Sequence, residues 1–254
     1  MNEQVVDNKE KTKDYAWNDT IKTILIALLL AVIFRSFAYE PFHIPSGSMK
    51  SNLLIGDYLF VSKYTYGYSR YSFPLGIAPI KDRIMKSEPA RGDVVVFRLP
   101  TNPRIDYIKR VMGLPGDKIQ VKGGVVYINN KELERVPHDT FVDDEFENAK
   151  KSIPRLEETL PEGKKILILK ERMFGAADDT EVYTVPANHY FMMGDNRDNS
   201  RDSRYMTEVG FVPAENLVGR AEMIFFSIDE TVRWYNPLSW FAGLRYDRFL
   251  KDID

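Results

Sequence analysis

Two serines, Ser46 and Ser48, lie in the stretch HIPSGSMKSNLLIGDYLFVSK from His43 to Lys63, just beyond a run of aliphatic residues that ends near Tyr39. A serine hydroxyl is a useful nucleophile only when a base takes its proton. Near neutral pH that base is a histidine, a carboxylate, or a lysine whose pKa has been lowered by burial. His43 lies too near Ser48 in sequence for a facing geometry to be read, whereas Lys109 in DYIKRVMGLPGD is the better candidate. In a strand from Ile105 to Met112, alternation puts Tyr107, Lys109 and Val111 on one face and Ile108 and Arg110 on the other. Sharing a face with Tyr107 and Val111 gives Lys109 an apolar setting. An exposed lysine, with a pKa of about 10.4, is almost wholly protonated at neutral pH. Desolvation lowers that value by up to about 3–5 units and makes the neutral amine a usable base. Ser–Lys pairs are an established variant of the serine triad. On spacing alone, the commoner reading of Lys109 as a solvated strand lysine outweighs this one.

The elements that would position these groups begin with a membrane segment. Residues 21–39 read IKTILIALLLAVIFRSFAY, with no charge between Lys22 and Arg35. Snorkelling by those two cations, with Trp17, Phe37 and Tyr39 at the interfaces, brings the length near the roughly 20 residues that a bilayer requires. Ser36-Phe37-Ala38 imitates the small-x-small pattern of a cleaved leader. The preceding tail, residues 1–20, is long and mixed in charge, so an uncleaved anchor is the better reading. Lys9, Lys11, Lys13 and Lys22 precede the helix, while Arg35 and Lys50 are the nearest cations after it. The positive-inside rule then favours a cytoplasmic tail and an exported body.

The body is expected to be mostly β, an antiparallel core over residues 40–130 and 180–254 with a smaller inserted subdomain over 131–179. LLIGDYLFVSKYTYGY alternates through Tyr58, Phe60, Tyr64 and Tyr66 as one half-buried strand or ribbon. GDVVVFRLP reads as a buried strand, DYIKRVMGLPGDKIQV as strand, turn and strand, and GGVVYINNKEL as a hairpin. The stretch 131–179 is acidic and basic by turns and poor in apolar periodicity. The core resumes at EVYTVPANHYFMMGD and LVGRAEMIFFSID, and the aromatic tail WYNPLSWFAGLRYDRFL reads as packed on it, with lipid contact as the alternative.

Composition excludes several classes. A net charge of −2 gives no polyanion-binding signature, so nucleic acid is not an expected partner. With no cysteine, thiolate catalysis, disulfides and cysteine-ligated zinc are out. His43, His138 and His189 lack metal-site spacing, and GDNRDNSRDS departs from a calcium loop because Arg197 takes the second ligand position and no glycine follows. No metal and no cofactor are expected. Asp195 and Asp198 read as parts of a hydrogen-bonded loop at the edge of the site.

Five stretches in order, PSGSM at 45–49 with LLIGDYLFVSK after it, RGDVVVF at 91–97, YIKRVMGLPGD at 107–117 and GDNRDNSRDSR at 194–204, resemble the sequence boxes of the type I signal peptidases. These are membrane-anchored Ser–Lys endopeptidases that remove signal peptides from exported proteins. The resemblance implies Ser48 as nucleophile and Lys109 as general base, with Ser46 sharing an oxyanion hole with the backbone N–H of Ser48. It implies that Ser200 hydrogen-bonds and positions Lys109, that Asp202 and Arg204 form a supporting ion pair, and that Phe42, Ile44 and Ile108 line shallow pockets for small side chains. The implied cut falls after alanine-like residues one and three positions before the scissile bond. The implied partners are signal-peptide-bearing precursors and membrane lipid, with the secretion machinery as a further candidate. The implied location is the inner or plasma membrane, single-pass, with the catalytic domain outside. The family usually has a proline and a threonine soon after the nucleophile's methionine, where this chain reads Met49-Lys50-Ser51-Asn52. A self-cleaving repressor-type Ser–Lys protease and a membrane-tethered β-domain that binds without cutting are the alternatives. The anchor argues against the first, and the presence of both Ser48 and Lys109 argues against the second.

Overall fold

A computed structural model describes residues 3–73, 76, 78–80, 82–143, 151–172, 174–229, 231–233 and 235–253. The chain starts with helix α1, Glu3–Phe37, whose stretch Trp17–Phe37 is long and apolar enough to cross a membrane, at a mean hydropathy of 2.0. Its apolar side chains, such as Leu25 and Leu29, face outward rather than into the body, as in a lipid-facing helix. The expected span of 21–39 therefore shifts toward the N-terminus. The helix stops because Pro41 disfavours helical geometry at Glu40, and Tyr39 already pairs with Ser62.

Beyond α1 the chain is mostly antiparallel β, as expected. In order come β1 Tyr39–His43, β2 Asp57–Ser62, β3 Val94–Leu99, β4 Asn102–Gly113, β5 Lys118–Lys122, β6 Val125–Ile128, β7 Lys131–Glu132 and β8 Glu134–Asp143. They are followed by β9 Lys151–Thr159, β10 Lys165–Leu169, β11 Tyr183–Thr184, β12 His189–Met193, β13 Val212–Pro213, β14 Leu217–Ser227, α2 Pro237–Gly243 and β15 Lys251–Asp252. The main sheet runs β1-β2-β14-β3-β4-β12-β13, with β15 added to β14. A second sheet runs β11-β5-β6-β7 and a third β10-β9-β8.

Strand alternation explains the packing. Along β3, Val94 and Val96 point into one cluster with Ile44, Met49, Leu53 and Leu59, while Val95 and Phe97 point into another with Val111, Tyr190 and Met192. The stretch 131–179, with 144–150 and 173 outside the described residues, contains the third sheet. Its apolar residues Leu160, Ile166 and Ile168 join a cluster with Met112, Ile119, Val126 and Phe191 from the other two sheets. Few apolar residues are needed for that, which is why the periodicity is faint. The ribbon expected through Tyr66 ends earlier. β2 stops at Ser62 and Tyr64–Tyr66 form a 3-10 turn, closed by Gly67 at a φ of 79°, a left-handed value open to glycine. The C-terminal segment packs on the core. Arg248 meets the fully buried Asp57 at 2.6 Å, and β15 pairs with Met223 and Ile224 of β14.

Candidate active site

Ser48 sits in a 3-10 turn, Gly47–Met49, between β1 and β2, and two kinds of contact hold it. From below, Met49 and Leu53 are fully buried in the cluster beside β2. From the side, the loop after β12 reaches over. Asn196 donates its backbone N–H to Ser48 O at 3.1 Å and its side-chain amide to Gly47 O at 3.0 Å. That approach needs glycine at 194, where a Cβ would lie 2.5 Å from Ser48 O.

Lys109 projects from β4 on the face that carries Tyr107 and Val111, and its ammonium lies 5.1 Å from the centre of the Tyr107 ring. It is 4 % exposed. Its Nζ reaches Ser48 Oγ at 2.7 Å and Ile108 O at 2.8 Å. Burial lowers its pKa to about 8, against the pull of the Asp202 and Asp195 carboxylates and with help from Arg204. Lys109 also stands apart from the other buried cations. Among the described residues, Lys50, Lys63, Arg110, Arg197, Arg204 and Arg248 each form an ion pair with a carboxylate, and Lys109 forms none.

Ser46 caps the turn in an extended conformation without spending its hydroxyl on a capping bond. It is exposed beside Ser48. Asp202 and Arg204 form a buried pair at 2.8 Å, and Gly194 N donates to the second Asp202 oxygen at 3.0 Å. Burial alone would raise the Asp202 pKa, yet Arg204 and these hydrogen bonds hold it below the usual carboxylate value. Ser200 does not reach Lys109 as expected. Its hydroxyl is buried beside Asp202, whose ionised form it favours, and has no partner of hydrogen-bond geometry. Phe42, Ile44 and Ile108 share one cluster, but Ile44 is buried at 2 % exposure, so Phe42 and Ile108 carry most of the surface there.

Asp195 and Asp198 part company. Asp198 accepts from the backbone of Glu171 and Arg172, as a loop carboxylate would. Asp195 is instead buried at 1 % and forms a two-pronged pair with Arg110, both contacts at 2.8 Å, while Asn52 donates to it at 2.6 Å. It thus ties the residue after Lys109 to the loop that carries Ser48. Sequence reading missed Asn196 and the partnership of Arg110. The one available signal was the alternation that sends Arg110 to the face opposite Lys109.

Comparison with known proteins gives the family. The family model for signal peptidase, peptidase S26, matches residues 17–226. The signal peptidase I of Rickettsia canadensis (strain McKiel) is 39% identical over 264 residues, covering 97% of this chain and 96% of that one. The signal peptidase I of Rickettsia akari (strain Hartford) is 41% identical over 265 residues, covering 97% and 95%. Among solved structures, a signal peptidase I from Enterococcus faecalis V583 is 28% identical and covers 53% of this chain and 97% of its own, at a TM-score of 0.31. The chain therefore belongs to the signal peptidase family, peptidase S26, and is a serine endopeptidase, a hydrolase of peptide bonds.

Proposed function

We propose that this endopeptidase removes N-terminal signal peptides from exported precursors, with Ser48 as nucleophile and Lys109 as general base. The carrying observation is Lys109 itself, a buried amine that meets no carboxylate among the described residues and lies 2.7 Å from a serine hydroxyl. With no carboxylate in contact to offset it, burial raises the fraction of neutral amine, which is the form a base requires.

An extended segment of the precursor pairs with an exposed strand edge; among the described residues β1, which leads into the Ser48 turn, lies at an edge of the main sheet. Small side chains one and three positions before the cut fit the shallow surface of Phe42 and Ile108, which Ile44 supports from beneath. Lys109 takes the hydroxyl proton as Ser48 Oγ bonds to the scissile carbonyl carbon. The oxyanion meets the Ser46 hydroxyl and the Ser48 backbone N–H; each such donor is typically worth about 10²–10³ in rate. The Lys109 ammonium then protonates the leaving amine as the C–N bond breaks, which leaves an acyl-enzyme. Lys109 next removes a proton from water, which attacks the ester, and Ser48 regains its proton on release of the carboxylate.

Single-pass anchoring by α1 places residues 1–20 in the cytoplasm and the body outside, by the positive-inside rule. Membrane lipid around α1 and precursors arriving from the secretion machinery are the partners. Residues 40–130 and 180–254 form the catalytic domain and 131–179 a peripheral subdomain. From Tyr39 to Ser48 the chain spans at most about 3.3–3.6 Å per residue. The nucleophile thus stays near a substrate that is itself held in the bilayer.

The test is cleavage of a detergent-solubilised precursor carrying an Ala-x-Ala site, with the new N-terminus read by mass spectrometry. Wild type should cut after the second alanine and Ser48→Ala should not. Folded wild type that cuts none of several precursors would refute the proposal.

A further inference from the structure

Lys50 stands two residues after Ser48. Its ammonium donates to both oxygens of Asp143 at 2.8 Å, and the two side chains are 6% and 11% exposed. Asp143 is the last residue of β8, at the edge of the third sheet. The Lys50 methylenes fold back over the turn, because a Cβ on Gly47 would lie 2.9 Å from Lys50 Cε. Gly47 is the residue between the two serines.

The next residue, Ser51, has a φ of 102°, a left-handed value that side chains with a Cβ rarely adopt, and its buried hydroxyl has no partner. Such a conformation persists only where the surroundings over-determine it. On its other side, Asn52 donates from one amide to Leu167 O of β10 at 3.0 Å and to Asp195 at 2.6 Å. The strained residue is thus held on both flanks, by the two outer strands of one sheet. A further tie is the fully buried pair of Glu158 in β9 with Arg197, one residue after Asn196. Stability alone gives weak reason for a charged pair at the Lys50 position, since an apolar pair of similar volume is often as stable. Its directional geometry, in contrast, fixes where the turn stands.

We infer that Lys50 and Asp143 are a positioning pair: the sheet β8–β9–β10 backs the nucleophile turn through them and holds Ser48 Oγ in line with Lys109. This rests on Ser48 being the nucleophile. Neither residue contacts the reacting atoms, so the effect falls on kcat and not on KM or on the pH at which Lys109 titrates.

The experiment uses the full-length protein in detergent with an Ala-x-Ala precursor. Lys50→Met and Asp143→Asn should each lower kcat by about tenfold, a misplacement effect, with KM and the acid limb of the pH profile unchanged. Lys50→Arg should keep at least about a third of kcat, since its fork also meets a carboxylate. Reversal of one charge should cost about 10²-fold, and the double reversal Lys50→Glu with Asp143→Lys should recover most of it. Thermal unfolding of each variant separates misplacement from a loss of folded protein. The inference is overturned if Lys50→Met keeps the wild-type kcat, if its loss matches the unfolded fraction, or if the double reversal is no better than either single one. Ser48→Ala is assayed alongside. If it still cuts, the nucleophile assignment has failed and the pair falls with it; if it is dead while Lys50→Met is fully active, only the pair has failed.

Discussion

Lys63 directly follows β2 and Lys109 lies within β4 of the same sheet, and both are buried, at 2% and 4% exposure. Burial lowers the pKa of each. Their surroundings then diverge. Lys63 Nζ meets Glu40 at 2.8 Å and donates to Ser72 O at 2.5 Å, and Glu40 in turn pairs with Arg35 at the end of α1. The hydrogen bond and charge of Glu40 oppose the effect of burial. Among the described residues Lys109 Nζ hydrogen-bonds to one hydroxyl and one carbonyl, and the carboxylates of Asp202 and Asp195 act on it from farther away. The lesson is that burial alone does not make a base. The base site pairs burial with the exclusion of a contacting carboxylate, while the junction with the anchor uses burial with a carboxylate to fasten two elements together.

The largest effect is expected from removing the amine that lacks an acid partner. Lys109→Met should reduce cleavage by about 10⁴-fold, the upper range for a general base. The same change should raise stability at pH 7, because the folded state no longer holds a lysine of depressed pKa. The gain is on the order of 3 kcal/mol, read from thermal or denaturant unfolding. The sign follows from protons bound. Between about 8 and the unfolded value the unfolded chain holds more protons at this site, so wild-type stability rises with pH there and the variant lacks that rise.

Lys63→Met should do the reverse. It leaves Glu40 buried with one cation instead of two and should cost about 3 kcal/mol of stability, while kcat of the folded fraction changes little. Equal loss of kcat in the two lysine variants would break the comparison. Glu40→Gln sharpens it by making Lys63 resemble Lys109. Stability should fall by about 1–3 kcal/mol at pH 7 and recover as pH rises, since the depressed lysine binds fewer protons folded than unfolded. The smallest effect is at Ser200, whose buried hydroxyl lies beside Asp202 without forming a full hydrogen bond. Ser200→Ala should leave stability within about 0.5 kcal/mol. A fall in kcat without that loss would mean that the hydroxyl turns to Lys109 during the reaction.

Much of this was legible in the chain. Strand alternation alone put Lys109 with Tyr107 and Val111, and the β class followed from short apolar runs between turns. What stayed hidden depends on partners distant in sequence. Arg110 and Asp195 are 85 residues apart, Lys50 and Asp143 are 93, and Gly47 and Asn196 are 149. No local period encodes such pairings. Asp195 read as a loop carboxylate because its sequence neighbours are polar, while its burial comes from β4 and the Ser48 loop closing over it. Tyr64 and Tyr66 kept a strand's alternation past Ser62, but the left-handed Gly67 and the turn before it redirect the chain.

The most direct test of the central claim is the pKa of Lys109 itself, from the pH dependence of its side-chain 13Cε NMR signal in the folded protein, assigned by loss of the signal in Lys109→Met. A buried Lys109 acting as the base should titrate with a midpoint near 8. A midpoint at the ordinary lysine value of about 10.4 would leave almost no neutral amine at neutral pH, and the Ser48–Lys109 mechanism would be wrong.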